Sequence, residues 1–258
     1  TPDRVKMEFM GGRIMSSDCA ERRWEHNDDR DLSGRADLSY RLKTDKGTVD
    51  FKTGGLYRDK QRSSFCNYYT FNSSTGIGWK NFDDIEFVPR RQYGVIGGAL
   101  NYDASEKTGA AYFMAKYTHR AWEVNTGVRA EHTDQGYTLK FPEENAAPEG
   151  HQKYWDILPS LHVKYGVHKN ANLRFSYARA VNRPSFFEIA PYSIIGDDYK
   201  EEGNPTLEHT VADNFDLRYE FFPRTSEQFM VGLFYKHIHD PIEYGLITEG
   251  QALKYKPL

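Results

Sequence analysis

The sequence predicts an all-β chain, an antiparallel up-and-down transmembrane β-barrel segment with about ten strands of a larger barrel. Three observations favour this fold class. Long segments alternate apolar and polar residues with period two, short and long connections follow one another along the chain, and aromatic residues make up 15% of the 258 positions. No run of 18 apolar residues occurs, and the mean hydropathy of −0.76 is too low for a helical membrane protein.

Residues 32–43 show the clearest alternation, with Leu38 and Tyr40 on one side of the strand and Arg35 and Asp37 on the other. A short turn at residues 44–47 ends in glycine, which is typical of a β-hairpin. The sequence therefore predicts that residues 32–43 pair with residues 48–58, followed by three more hairpins. These are 107–117 with 121–134, 154–166 with 171–181, and 212–222 with 227–238.

The connections alternate in length, which distinguishes a barrel from a sandwich. Turns near residues 44–47, 118–120, 167–170 and 223–226 are short, whereas the connections near 58–105, 141–152, 182–210 and 240–250 are long. Outer-membrane barrels have short periplasmic turns and long extracellular loops. A sandwich with Greek-key connections does not require short and long connections to alternate.

In each predicted strand one face would meet lipid and the other a polar lumen. We expect Leu38, Tyr40, Phe175, Tyr177, Leu217, Tyr219 and Leu233 to face outward, and Arg35, Asp37, Arg174, Asp216 and Arg218 to face inward.

Composition and motifs exclude several functions. The net charge of −3 gives no basic surface for nucleic acid. No phosphate loop, nucleophile elbow or paired-cysteine zinc pattern occurs, so we expect no enzyme activity and no cofactor. His237 and His239 share a strand face and could hold a metal, but surface histidines at a strand end are the favoured interpretation, so we predict no metal site. Cys19 and Cys66 define no disulfide framework.

Two long motifs resemble the TonB-dependent outer-membrane receptors. The run NLRFSYARAVNRPSFFEIAPY is followed by GNPTLEHTVADNFDLRYEFFP, and VNTGVRAEHTDQGYTL precedes both. Arg183, Pro184, Gly203, Asn204 and Pro205 occupy positions that the family pattern requires. Glu208 stands where the family often has proline, and Ala130 stands where it usually has tyrosine.

The resemblance implies a receptor in the bacterial outer membrane that imports a scarce nutrient, such as an iron chelate or another large ligand. In that class a plug fills a 22-stranded barrel, and the inner-membrane TonB complex supplies energy through the plug. We expect residues 1–258 to be part of the barrel, with the plug domain not present. Expected partners are outer-membrane lipid, the TonB complex through the absent plug, and a small-molecule or oligosaccharide ligand.

Aromatic residues in the long connections are the predicted ligand contacts. These are Tyr68, Tyr69, Trp79, Phe82 and Tyr192. The connection at residues 182–208 carries three prolines and six large apolar residues, so we expect it to fold over the barrel rim and bury Phe186, Phe187 and Ile189.

Two alternatives remain at this stage. A passive porin or adhesin barrel would share the strand pattern without a plug. A soluble carbohydrate-binding β-protein would place the same alternating residues in a sandwich core.

Overall fold

The computed structural model describes residues 8–10, 13–16, 20–73, 87–89, 100–142, 147–195, 199–249 and 252–258. Eight long strands dominate it, together with one short helix, α1 (Phe186–Ile189), and seven short strands. The long strands are β3 (Ala20–Thr44), β4 (Gly47–Ser73), β6 (Tyr102–His119), β7 (Trp122–Leu139), β8 (Glu149–His168), β9 (Ala171–Asn182), β12 (Thr210–Arg224) and β13 (Glu227–His239). The short ones are β1 (Glu8–Met10), β2 (Arg13–Ser16), β5 (Phe87–Pro89), β10 (Ser193–Ile195), β11 (Lys200–Glu202), β14 (Tyr244–Glu249) and β15 (Ala252–Pro257).

The eight long strands form one antiparallel meander in chain order, and β5 adds to the far end of β4. All four predicted hairpins are confirmed, with partners such as Leu38 and Thr53, Val128 and Phe113, and Leu217 and Leu233. Within the described residues the meander has eight strands rather than about ten, and β3 and β13 are its edges.

Each predicted short turn has two residues between its strands, at positions 45–46, 120–121, 169–170 and 225–226. Gly47 has φ +135°, and a Cβ there would lie 2.5 Å from the carbonyl oxygen of Thr118. Only glycine fits this close approach between the first turn and β6.

The first hairpin is longer than predicted. β3 starts at Ala20 rather than at residue 32, and β4 continues to Ser73, into the predicted long connection at residues 58–105. Both faces of a strand meet water beyond the lipid, so its sequence loses the period-two signal there. Residues 252–257 form β15, which pairs with β14 and β11 in a separate small sheet.

The meander has one apolar and one polar face. The seven residues predicted to face outward share one face, and directly paired positions such as Tyr177 and Phe215 keep the same side across strands. Leu38, Tyr40 and Leu233 are 76%, 66% and 70% exposed. On β3 the apolar band runs from Leu32 to Leu42, which is about 33 Å of strand. At a tilt of about 40° it covers about 25 Å, the height of a barrel's lipid-facing band.

The polar face carries ion pairs. Arg35 and Asp37 pair along one strand at 2.7 Å, and Arg174 pairs across strands with Glu220 at 2.8 Å. The five residues predicted to face inward all lie on this face. Among the described residues, no helix is long and apolar enough to cross a membrane.

Substitutions on the two faces of β12 test which face of the sheet meets lipid. Replacing Leu217 with arginine places a charge in the middle of the apolar band and should lower the free energy of unfolding by about 2–4 kcal/mol in lipid. Asp216→Ala, one residue away on the polar face, is the matched control and should change it far less. Denaturant titration in vesicles measures both variants, and a larger loss for Asp216→Ala would reverse the two faces.

Candidate functional site

Residues 183–195 and 199–209, the described parts of the segment between β9 and β12, lie over the polar face at the end of the sheet with the long connections. We call this region the mouth. Arg183 Nε donates to Thr133 Oγ1 at 2.9 Å, and Arg183 Nη2 donates to Glu131. Gln135 Nε2 donates to the carbonyl oxygen of Pro184 at 2.7 Å. The Asn-Arg-Pro motif therefore anchors the segment to β7.

These anchors are buried. Glu131, Thr133, Gln135 and Asp156 are 7%, 0%, 1% and 5% exposed. Buried charges are tolerated only when they are paired, and Glu131 has Arg129 as well as Arg183. The segment is thus bound through groups that would be costly to separate.

A second contact joins the other end of the segment to β8. His209 Nε2 lies 3.0 Å from Asp156 Oδ1, and its ring stacks on Tyr154 with centroids 3.9 Å apart. Gln152 Nε2 donates to the carbonyl oxygens of Pro205 and Leu207 at 3.1 and 2.9 Å. Both ends of the segment are therefore fixed to the polar face.

Between these ends, α1 packs on a small apolar cluster. Ser185 and Glu188 form a capping box that begins the helix. Ile189 is 2% exposed and packs with Tyr102 and Tyr137 of the sheet, and Phe186 adds to this cluster. Of the three residues expected to be buried, Ile189 is buried, whereas Phe186 and Phe187 are half-buried.

The GNP motif joins α1 to the small sheet. A Cβ on Gly203 would lie 1.9 Å from the carbonyl oxygen of Ala190, so only glycine fits there. Asn204 N–H donates to the carbonyl oxygen of Glu188 at 2.7 Å, and Asn204 Nδ2 donates to that of Pro257 at 3.0 Å. One residue thus connects the helix with β15.

The small sheet has the strand order β10-β11-β15-β14, and β11 runs parallel to β15. Glu202 bridges Lys200 at 2.7 Å and Lys254 at 3.0 Å on one of its faces. Burial alone would raise the pKa of Glu202, but hydrogen bonds from the two lysines hold it below its usual value. The ionised carboxylate therefore ties β11 to β15.

Three tyrosines form a row on the other face of this sheet. Tyr255 lies between Tyr199 and Tyr244, and each flanking ring has its centroid 5.3 Å from that of Tyr255. Tyr199 and Tyr244 are each 41% exposed, and Leu246 beside them is 58% exposed. Exposed rings on an ordered scaffold are suited to stacking against a ligand.

Carboxylates anchor the tyrosines near this row. The hydroxyl of Tyr192 donates to Glu201 Oε1 at 3.0 Å, and that of Tyr244 donates to Glu188 Oε1 at 3.1 Å. Burial and the neighbouring Glu201 raise the pKa of Tyr192. Burial and Glu188 raise the pKa of Tyr244 to about 12, so both hydroxyls stay protonated donors at neutral pH.

The predicted ligand contacts do not form one group. Tyr68 and Tyr69 lie in strand β4, so they point to opposite faces of the sheet, and Tyr69 meets Trp24 edge-on at 5.1 Å. Trp79 and Phe82 lie outside the described residues. Tyr192 belongs to the mouth but is only 4% exposed. A ligand contact at any of the five stays a prediction.

Sequence reasoning missed the tyrosine row. Tyr199 and Tyr255 lie more than fifty positions apart in the chain. They come together because β11 pairs with β15 in parallel, and a parallel pair has no hairpin turn that the sequence could show. The only available signal is the density of tyrosine and glutamate in two long connections.

Two clefts also occur in the described part of the chain. One of about 290 Å³ lies on the polar face and is lined by Asn125, His162, Arg174, Asp216 and Arg218, among others. The other, of about 400 Å³, lies mainly on the opposite face beyond the apolar band and includes Asp28, Arg30 and His151. No group of three or more metal-ligating side chains occurs among the described residues, His237 and His239 included.

Comparison with solved structures supports the barrel architecture. The ferric citrate transporter FecA in its unliganded form matches 90% of this chain and 30% of its own, at 14% identity and a TM-score of 0.55. The ferric-catecholate import receptor Fiu from K12 E. coli matches 90% of this chain and 34% of its own, at 13% identity and a TM-score of 0.57. The chain thus spans about a third of either structure, and this likeness shows the fold alone. No curated protein sequence matches.

Removing the buried contact between Arg183 and Glu131 tests what holds the mouth segment on the sheet. Arg183→Ala leaves Glu131 with one partner fewer and should destabilise the protein by about 3–5 kcal/mol. The matched control, Arg224→Ala, removes an exposed ion pair with Glu227 and should cost less than about 1 kcal/mol. Hydrogen exchange of residues 183–209 measures the local effect, and unchanged protection in Arg183→Ala would show that the segment is held by its apolar contacts alone.

The sequence model of one family covers nearly the whole chain. The family is described as the outer membrane protein beta-barrel family, and the match runs over residues 17–253. It rules out the soluble carbohydrate-binding alternative and places the protein in the bacterial outer membrane. The apolar band is accordingly the surface that meets lipid, and the polar face lines the barrel interior. The chain is a member of the outer membrane protein β-barrel family.

Proposed function

We propose that this chain is the ligand-recognising part of the barrel of a TonB-dependent outer-membrane receptor. The receptor imports a scarce nutrient, such as an iron chelate or another large ligand. A plug domain outside this chain fills the barrel and passes energy from the inner-membrane TonB complex. The protein is a transporter and not an enzyme.

The observation that carries this proposal is the mouth. A passive porin needs an open lumen, whereas here residues 183–195 and 199–209 lie on the lumen face and are fixed by contacts of Arg183, Gln135 and His209. The same segment positions the tyrosine row at the extracellular end. Fixed aromatic residues beside a covered lumen face suit selective capture of a ligand rather than free diffusion.

The similar solved structures support the same kind of function. Their names describe ferric citrate transport and ferric-catecholate import. We extend the general kind, active import of a large ligand, to this protein. The choice among iron chelates and other large ligands belongs to experiment.

Energy dependence separates this function from the porin alternative. Cells that express the protein should accumulate a radioactive iron chelate of the citrate or catecholate type only when the TonB complex is functional. An oligosaccharide of similar size is the parallel probe. Uptake that persists without the TonB complex would support the passive porin and contradict the proposal.

The tyrosine row gives a direct binding test. Tyr244→Ala removes an exposed ring and should weaken binding of the transported ligand at least about tenfold, which corresponds to about 1.4 kcal/mol. Tyr57→Ala is the matched control, because Tyr57 is a 53% exposed ring on the lipid-facing side. Calorimetric titration in detergent measures both, and equal affinities would place the ligand contacts elsewhere.

A further inference from the structure

The small sheet behind the tyrosine row divides its charges between its two faces. Lys200 of β11 lies beside Lys254 of β15, and Lys256, two positions further along β15, shares their face. Glu201 lies beside Tyr255, so it belongs to the face of the row. All the lysines in the described part of this sheet therefore lie on the face away from the tyrosines.

Two of these lysines already have a partner within the protein. The Nζ atoms of Lys200 and Lys254 lie 2.7 Å and 3.0 Å from carboxylate oxygens of Glu202, on the same face as the lysines. Since this carboxylate offsets their charge, they attract an anion on the opposite face only weakly.

Carboxylates, in contrast, reach the row from two elements. Glu188 of α1 accepts from the hydroxyl of Tyr244 at 3.1 Å, and Glu201 of β11 accepts from that of Tyr192 at 3.0 Å. Burial raises the pKa of both tyrosines, and these carboxylates raise it further because they disfavour a phenolate beside them. A ligand at the row therefore meets acidic and not basic neighbours.

The exposed side chains on the face of the row carry no charge. Leu246 is the ladder partner of Tyr255, and Leu253 lies two positions before Tyr255 on β15, so both share this face. They are 58% and 39% exposed, beside the exposed rings of Tyr199 and Tyr244. The surface that a ligand can contact is thus aromatic and aliphatic, with carboxylates at its side.

The half-buried Glu201 also has hydrogen-bonding capacity to spare. Tyr192 donates to its Oε1 atom, and no described residue donates to Oε2. A carboxylate only accepts hydrogen bonds, so it favours a ligand that brings hydroxyl donors.

These features distinguish between classes of ligand. Iron chelates built from citrate or catechol groups are anions, which proteins hold with arginine and lysine. Among the described residues this face offers neither, and its carboxylates repel an anion. A neutral molecule rich in hydroxyl groups can pack its C–H groups on the tyrosine rings and donate to the carboxylate.

We propose that the tyrosine row binds a neutral, polyhydroxylated ligand of the oligosaccharide class in preference to an anionic iron chelate. This ligand class rests on the import function proposed above and narrows it. The repulsive carboxylates then supply selectivity, and the uncharged rings supply the contact area.

Binding to the receptor purified in detergent tests the ligand class. An array of neutral oligosaccharides, with glucans, mannans and galactans among them, identifies the tightest binder. In calorimetric titration that oligosaccharide should bind at least about tenfold more tightly than ferric citrate or a ferric catecholate. Tyr244→Ala should weaken its binding by a similar factor, which locates it at the row. The shift of the folded band on unheated gels verifies that each variant folds.

A matched pair of ligands isolates the effect of charge. Oxidising the primary hydroxyls of the same oligosaccharide to carboxylates adds negative charge with little change in size, and should weaken binding at least about tenfold. Glu201→Gln keeps an acceptor for Tyr192 but removes the charge, so it should reduce this difference at least about threefold. Glu227→Gln, which changes an exposed carboxylate at a short turn, is the control and should leave the difference unchanged.

Several results would overturn the proposal. These are an array with no neutral binder, tighter binding of a ferric chelate, equal binding of the neutral and oxidised oligosaccharides, or a difference that Glu201→Gln leaves unchanged. Uptake of the iron chelate that depends on the TonB complex would still uphold the import function in each of these cases. A neutral oligosaccharide that binds at the row but enters cells without the TonB complex would instead contradict active import and leave the ligand class standing.

Discussion

The antiparallel ladder is the interaction on which the rest of the structure depends. In the hydrocarbon region each backbone N–H and C=O must find a partner within the protein, because no water is present. The eight long strands of the meander meet this demand through residue-by-residue registers, such as the uninterrupted pairing of β6 with β7 from Tyr102 to His119. Those registers fix which side chains share a face. The positions of the lipid-facing band, the lumen charges and the mouth anchors all follow from this requirement for backbone pairing.

The sequence revealed the ladder only where its two faces meet different surroundings. Leu38 and Tyr40 alternate with Asp37 and Ser39 because one side meets lipid and the other a polar interior, and all four hairpins were predictable from such patterns. Residues 20–31 and 60–71 pair just as regularly, yet both of their faces meet water, so no period marks them as strands. Their length is set by the partner strand and not by local composition.

The mouth was predictable in part for a similar reason. Prolines and apolar residues in the segment after β9 indicated an ordered loop, and Ile189 is indeed buried. Its anchors could not be foreseen, because Arg183 meets Glu131 across about fifty positions, and only the fold brings them together. The tyrosine row depends on a parallel pairing of β11 with β15, for which the sequence holds no local signal. Long-range contacts between irregular segments therefore set the limit of the sequence analysis.

The same registers let one sheet meet lipid on one face, the lumen on the other, and water at its mouth end. Along β12, Leu217 meets lipid, Asp216 faces the lumen, and Asp213, at the mouth end, pairs with Arg179 of β9 at 2.9 Å. A one-residue slip of β12 would move Leu217 into the lumen and Asp216 into lipid, and it would separate Asp213 from Arg179. Because the charge of Asp216 would then lie in hydrocarbon, the membrane itself penalises misregistration. The polar interior, the anchored mouth and the pair of Asp213 with Arg179 are thus held in place by the register that keeps the apolar residues in contact with lipid.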